Sequence, residues 1–185
     1  MRCFVALDLP ESVRAVLVRA VDELRGPDAA VRWVAAENLH VTLKFLGDSS
    51  DEQVAEMTAA VESLPDEKLE LVLSGLGQFP PRGRPRVFWA GLEGAIEAIA
   101  RIARSLEHAA RQCGFPRERR PFRAHVTLGR VKGGHGLRAL EPLLATVGST
   151  LDSDPFQAPS ITLYRSELTP SGARYTAVAR RVLGT

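Results

Sequence analysis

The chain has 185 residues, 45% of them hydrophobic, and a formal net charge of +2. That suits one large domain or two small lobes with a real core, and it excludes a polybasic nucleic-acid binder held by bulk charge. Lys44, Lys68 and Lys132 are the only lysines among 24 basic residues; arginine's planar fork suits phosphate, but an Arg-rich codon usage gives the same count, so the excess selects no partner. Cys3 and Cys113 show no metal or redox spacing and read as free thiols in a reducing compartment. Asp8 arrives too early for a signal peptide and no apolar run is long enough to cross a bilayer. A cytoplasmic protein with no membrane partner is expected.

Taken in order, Cys3 to Leu7 reads as a buried strand, and Pro10 suits the first turn of a helix. Val13, Val16, Leu17, Ala20, Val21 and Leu24 recur at helical spacing, with Gly26 and Pro27 as the stop. Val31–Val34 and Leu39–Leu46 read as strands. Ser50 and Gln53 form a capping box for a helix whose core face is Val54, Met57, Val61 and Leu64. Another strand begins at Leu69–Leu73. The loop 79–85, rich in Pro, Gly and Arg, is a place where two lobes could join.

The pattern then restarts. Arg86-Val87-Phe88-Trp89-Ala90 echoes Arg2-Cys3-Phe4-Val5-Ala6. A helix is expected over about Ile96–Cys113, with Gly114 as its stop. A shorter one is expected near Leu140–Val147, with Pro142 tolerable only in its first turn. Ser160–Leu168 and Arg174–Leu183 read as a β-hairpin across Pro170-Ser171-Gly172. Both halves run strand, helix, strand, helix, strand. This predicts an α+β fold: a single domain over 1–185 built by internal duplication, the repeat restarting near 86. Two pseudo-twofold lobes would each carry an antiparallel sheet packed by helices, with a groove between them.

The block His-Val-Thr-Leu supports this most strongly. It occurs at His40–Leu43 and again, 85 residues later, at His125–Leu128. Alternate side chains of a strand point to opposite faces, so His and Thr share one face while Val and Leu anchor the other. Two such strands across a groove present two proton-transfer groups and two hydroxyl donors to one small anion. His108, on a solvated helical stripe, and His135, in a glycine-rich loop, read as bystanders. Metal ligation is disfavoured because neither block has a second ligand at a suitable spacing, and zinc wants three or four. Two equivalent His-Thr sets also suit concerted acid–base work better than a covalent threonine nucleophile. No cofactor is expected.

The doubled motif resembles that of the 2H phosphoesterase superfamily. Arg32-Trp33-Val34, leading to Glu37-Asn38-Leu39-His40-Val41-Thr42-Leu43-Lys44-Phe45-Leu46-Gly47, is similar to the first motif region of the RNA 2′,3′-cyclic phosphodiesterase (2′-5′ RNA ligase) family. Arg120 through Arg130 is similar to its second. Ala124 departs from the proline often found there. The resemblance implies metal-independent opening of a 2′,3′-cyclic phosphate to a 2′-phosphate, on RNA ends or small nucleotides, and reversible 2′-5′ ligation. It implies His40 as proton donor and His125 as proton acceptor, with Thr42 and Thr127 on the nonbridging oxygens. Arg123 shares the face of His125; Arg130, by alternation, falls on the opposite face unless the strand bulges, although the family pattern carries Arg there. Both are phosphate candidates, and Phe45 and Phe122 are candidates to stack on a base. A small cyclic nucleotide or a 2′-5′-linked oligonucleotide is the rival substrate, and a non-catalytic binder of RNA ends the rival class. A monomer is expected.

Overall fold

A computed structural model describes residues 1–25, 28–151, 153–170 and 172–184. Gly26 and Pro27, the expected helix stop, and Ser171, in the expected closing turn, lie outside the described residues. The elements run β1 (Arg2–Leu7), α1 (Glu11–Leu24), β2 (Val31–Trp33), a short 3-10 turn (Ala36–Asn38), β3 (Val41–Asp48), α2 (Asp51–Glu62), β4 (Glu70–Phe79), β5 (Val87–Gly94), α3 (Ile96–Gln112), β6 (His125–Val131), α4 (Leu137–Ser149), β7 (Phe156–Gln157), β8 (Ser160–Thr169) and β9 (Gly172–Val182).

Apolar spacing explains the helices. Val13, Leu17, Ala20, Val21 and Leu24 of α1 are buried, as are Ile99, Ile102, Leu106 and Ala110 of α3. The capping box of α2 forms: Ser50 Oγ accepts from the Gln53 amide, and the Gln53 side chain accepts from the Ser50 amide. Helix α4 is longer than its periodicity suggests, and Pro142 lies inside it, not in its first turn. The Pro142 side chain is exposed, so the lost backbone bond falls on the solvent side, where water can replace it.

The strands form one sheet in the order β7-β4-β5-β6-β3-β1-β8-β9, with β2 also paired to β6. The two lobes are the two halves of this sheet, joined edge to edge between β3 and β6 by the single pair Val41–Val126. Both valines are fully buried. Beyond that pair the strands part, and β2 pairs with β6 over Gly129–Val131.

Each half-sheet draws on both halves of the sequence. β4, from the first, pairs with β5, from the second, while the C-terminal strand β8 pairs with β1. The loop 79–85 therefore closes a hairpin within one half-sheet and does not join two lobes. Residues of α1 and α4 enclose Phe88 of β5 in a small core of their own. The Arg-x-Phe-x-Ala echo is out of step with the pairing: Ala6 lies opposite Thr42, but Trp89, not Ala90, lies opposite Thr127. Phe4 stacks on His40 whereas Phe88 is buried under the helices, so the two phenylalanines are not equivalent.

Candidate active site

Because β3 and β6 run antiparallel through Val41–Val126, each block lies beside the other head to tail. His40 falls toward Thr127, and Thr42 toward His125. The valines and leucines of both blocks are buried, while both histidines and both threonines are half-buried on the other face. The local twofold passes through the valine pair.

Each imidazole is held in the same way. His40 Nδ1 lies 2.7 Å from the Asn38 carbonyl oxygen, and His125 Nδ1 lies 2.7 Å from the Arg123 carbonyl oxygen. A carbonyl only accepts, so Nδ1 carries the proton and donates, and in the neutral ring Nε2 keeps its lone pair for chemistry. His40 Nε2 sits 3.0 Å from Thr42 Oγ1.

Burial pushes both imidazoles below the usual histidine range, the charged form being the one that loses its water. The carbonyl bonds oppose this. Asp8 also favours the charged form of His40, whereas Arg14 and Arg130 oppose it. His125 is opposed by Arg130 as well. One guanidinium thus acts on both rings.

Arg130 reaches the groove through a slip in register. On β6, Thr127 pairs with Trp89 but Gly129 pairs with Phe88, so Leu128 is an extra residue. Leu128 and Gly129 are both buried, and Arg130 returns to the groove face. The same slip occurs on β3: Thr42 pairs with Ala6 and Lys44 with Val5, leaving Leu43 extra. Lys44 turns to the helix side, where Nζ donates to Glu107 at 2.7 Å, and Phe45 emerges 53% exposed. Phe45 and Arg130 therefore occupy equivalent places, one apolar and one cationic.

The groove opens into a cavity of about 1050 Å³ walled by His40, Phe45, Trp33, Arg32, Arg130 and Tyr175, among others. His125 and both threonines lie outside its lining. Of the other sequence candidates, Arg123 is exposed and off this cavity, contributing its carbonyl to His125. Phe122 is half-buried and packs against the main core. Trp89 stands beside His125 with a ring-centre distance of 6.4 Å, and Phe79 closer still, at 5.1 Å. Among the described residues no group of three or more His, Cys, Asp and Glu side chains is placed to hold a metal ion.

Sequence reading missed three residues here. Phe4 stacks on His40 at 4.9 Å, and Tyr175 of β9 meets the same ring edge-on at 5.6 Å. Asp8 is 5% exposed, and its carboxylate accepts from Ser160 Oγ and Thr162 Oγ1, each at 2.6 Å, and from Tyr164 Oη at 2.8 Å. The alternation of Ser160, Thr162 and Tyr164 with the apolar Ile161 and Leu163 was the available signal.

Fold and site together define a phosphoesterase: a two-lobed α+β protein presenting two His-x-Thr sets around a basic groove. The chain belongs to the LigT-like phosphoesterase family, whose model matches residues 7–89 and 91–175. It is 36% identical over 159 residues, 86% of this chain and 90% of its relative, to the RNA 2′,3′-cyclic phosphodiesterase of Aeropyrum pernix. The crystal structure of a Thermus thermophilus protein superposes with a TM-score of 0.79 at 29% identity, covering 99% of this chain and 98% of the other. That of E. coli LigT complexed with 3′-AMP superposes with a TM-score of 0.78 at 27% identity, covering 100% and 98%. No helix among the described residues is long and apolar enough to cross a membrane.

Proposed function

We propose that this chain is a metal-independent RNA 2′,3′-cyclic phosphodiesterase that leaves a 2′-phosphate. The observation that carries this reading is the antiparallel docking of the two blocks at Val41–Val126, with each imidazole fixed through Nδ1 so that Nε2 is the working nitrogen. Relatives bearing the RNA phosphodiesterase name, and the binding of 3′-AMP by a structural neighbour, support the substrate class.

In this reading His125 Nε2 takes a proton from water as the water oxygen bonds to phosphorus. The P–O3′ bond breaks, and His40 Nε2–H delivers its proton to O3′. The products are a 2′-phosphate and a free 3′-hydroxyl. Thr42 and Thr127 donate to the nonbridging oxygens, with Arg130 countering their charge. Asp8 favours the protonated form of His40 while burial and Arg14 oppose it; the direction of transfer is the one the family resemblance implies. With an RNA 5′-hydroxyl in place of water the same steps give 2′-5′ ligation.

We read the groove as complete within one chain, so the monomer is the catalytic unit. We also read the chain as one duplicated domain: β1 and β5, β3 and β6, β8 and β4 take matching places in the strand order, and the register slips after both threonines.

The test is to incubate the protein, in excess EDTA, with a short RNA ending in a 2′,3′-cyclic phosphate and to map the product. A 2′-phosphate is expected. A 3′-phosphate reverses the leaving group, loss of activity restored by an added metal makes this a metal site, and no turnover with or without metal leaves a binder of RNA ends.

A further inference from the structure

Arg32 and Arg130 face each other directly across the β2–β6 pairing. Cross-strand neighbours have their side chains on the same face at close range, and like charges there are destabilising. Both side chains are exposed and both wall the cavity. Lys132, two residues beyond Arg130, also lines it. None of the three forms an ion pair with a carboxylate among the described residues. Arg14 and Arg174, elsewhere on the wall, are occupied by the Glu37 carbonyl and by Glu167 respectively. The cation pair is thus an unrelieved repulsion at the point where β3 and β6 part, and an anion would relieve it.

Its distance from the histidines indicates which anion. At about 3.3 Å per strand residue, Arg130 lies roughly 10 Å along β6 from Thr127, and Lys132 roughly 16 Å. The long Arg130 side chain can still reach back toward the reacting group. Lys132, at the far end, is too distant to share that one phosphate, and Arg32, level with Arg130 on β2, extends the cationic patch beyond it. Phe45, 53% exposed on the same cavity, provides aromatic surface of the kind on which single-stranded bases stack.

We propose that Arg32 and Lys132, with Arg130, form a second phosphate seat for the internal diester on the 5′ side of the terminal nucleotide, so that the preferred substrate is an RNA strand and not a mononucleotide. This rests on the cyclic phosphodiesterase reading above and adds length selectivity to it. The seat is carried by β2 and β6; on the other side β3 is paired with β1, Phe45 lies opposite Phe4, and the Arg2 guanidinium lies 5.7 Å over the Phe45 ring.

The experiment measures kcat/KM for four substrates: a nucleoside 2′,3′-cyclic phosphate, the same carrying a 5′-phosphate, and the di- and trinucleotides ending in the cyclic phosphate. Each is compared in wild type, Arg32→Gln, Lys132→Gln and the double variant, at low and moderate salt. The expected result is at least a roughly 10-fold gain from mononucleoside to dinucleotide, shrinking with salt, and a ratio that falls toward one in the double variant. Removing one member of the cation pair should also raise the melting temperature of the free protein slightly, which separates a lost seat from a damaged fold. Equal rates for all lengths, or a gain that survives in the double variant, overturns the proposal. A full gain from the 5′-phosphate alone overturns the RNA-strand assignment in favour of a small nucleotide. Turnover of none of the four contradicts the phosphodiesterase reading itself.

Discussion

At His40 the ring is stacked on Phe4, edged by Tyr175, bonded through Nε2 to Thr42 and within the influence of the buried Asp8. At His125 the aromatic neighbours among the described residues are the edges of Phe79 and Trp89, and no carboxylate among them acts on the ring. The four-residue blocks are identical, and their backbone anchors are the same carbonyl two residues upstream. What differs comes from other strands: β1, β8 and β9 at the first site, β4 and β5 at the second. A repeated motif supplies two equal imidazoles, and the surrounding sheet makes them unequal. The two register slips do the same to the positions that follow, placing a ring at Phe45 and a guanidinium at Arg130.

The strongest way to break the comparison is to remove each ring. His40→Ala and His125→Ala should each lower kcat by roughly 10²–10⁴-fold with the far-UV spectrum and melting transition retained. A single-histidine variant that turns over near the wild-type rate would end the two-histidine mechanism.

The threonines sharpen it. Thr42→Val and Thr127→Val should lower kcat/KM by roughly 10–10³-fold with little change in melting temperature. Val41→Thr and Val126→Thr should instead cost about 1–3 kcal/mol of stability, because their hydroxyls would be buried without partners. Measuring rate and melting temperature on all four decides whether the faces are assigned correctly; thermal loss confined to the threonine variants would reverse them.

The faces themselves were legible in the sequence because strand alternation is strict over four residues, and the helices because their apolar spacing is regular. Beyond the blocks alternation misleads. One extra residue at Leu43 and at Leu128 turns Lys44 and Gly129 away from the groove and brings Phe45 and Arg130 into it, and nothing in the local composition marks a bulge. The joining of both halves into one sheet depends on the buried pair Val41–Val126 and on hairpins that exchange between halves. Those contacts are between residues far apart in the chain, where periodicity carries no information. Tyr175 was missed for the same reason.

A smaller effect tests the unequal pair at the matching bulges. If Phe45 supports a base, Phe45→Ala should raise KM by the equivalent of about 1–3 kcal/mol and leave kcat nearly intact. Arg130→Met should act differently, moving both limbs of the pH–rate profile to higher pH, because it removes a cation that opposes both imidazoliums. A KM effect alone at Arg130, with unmoved limbs, would detach it from the histidines.

The most direct measurement of the central claim is the pH dependence of kcat/KM for wild type and for the residual activity of the two single-histidine variants. His125 must be neutral to accept a proton, so the rate falls as pH drops below its pKa. His40 must be charged to donate, so the rate falls as pH rises above its pKa. Both values lie below the ordinary 6.5, so the wild-type bell should be centred on the acid side of it. The account predicts that His125→Ala loses the acidic limb and keeps the alkaline one, and that His40→Ala does the opposite. Limbs lost in the reverse order, or a single limb shared by both variants, would contradict it.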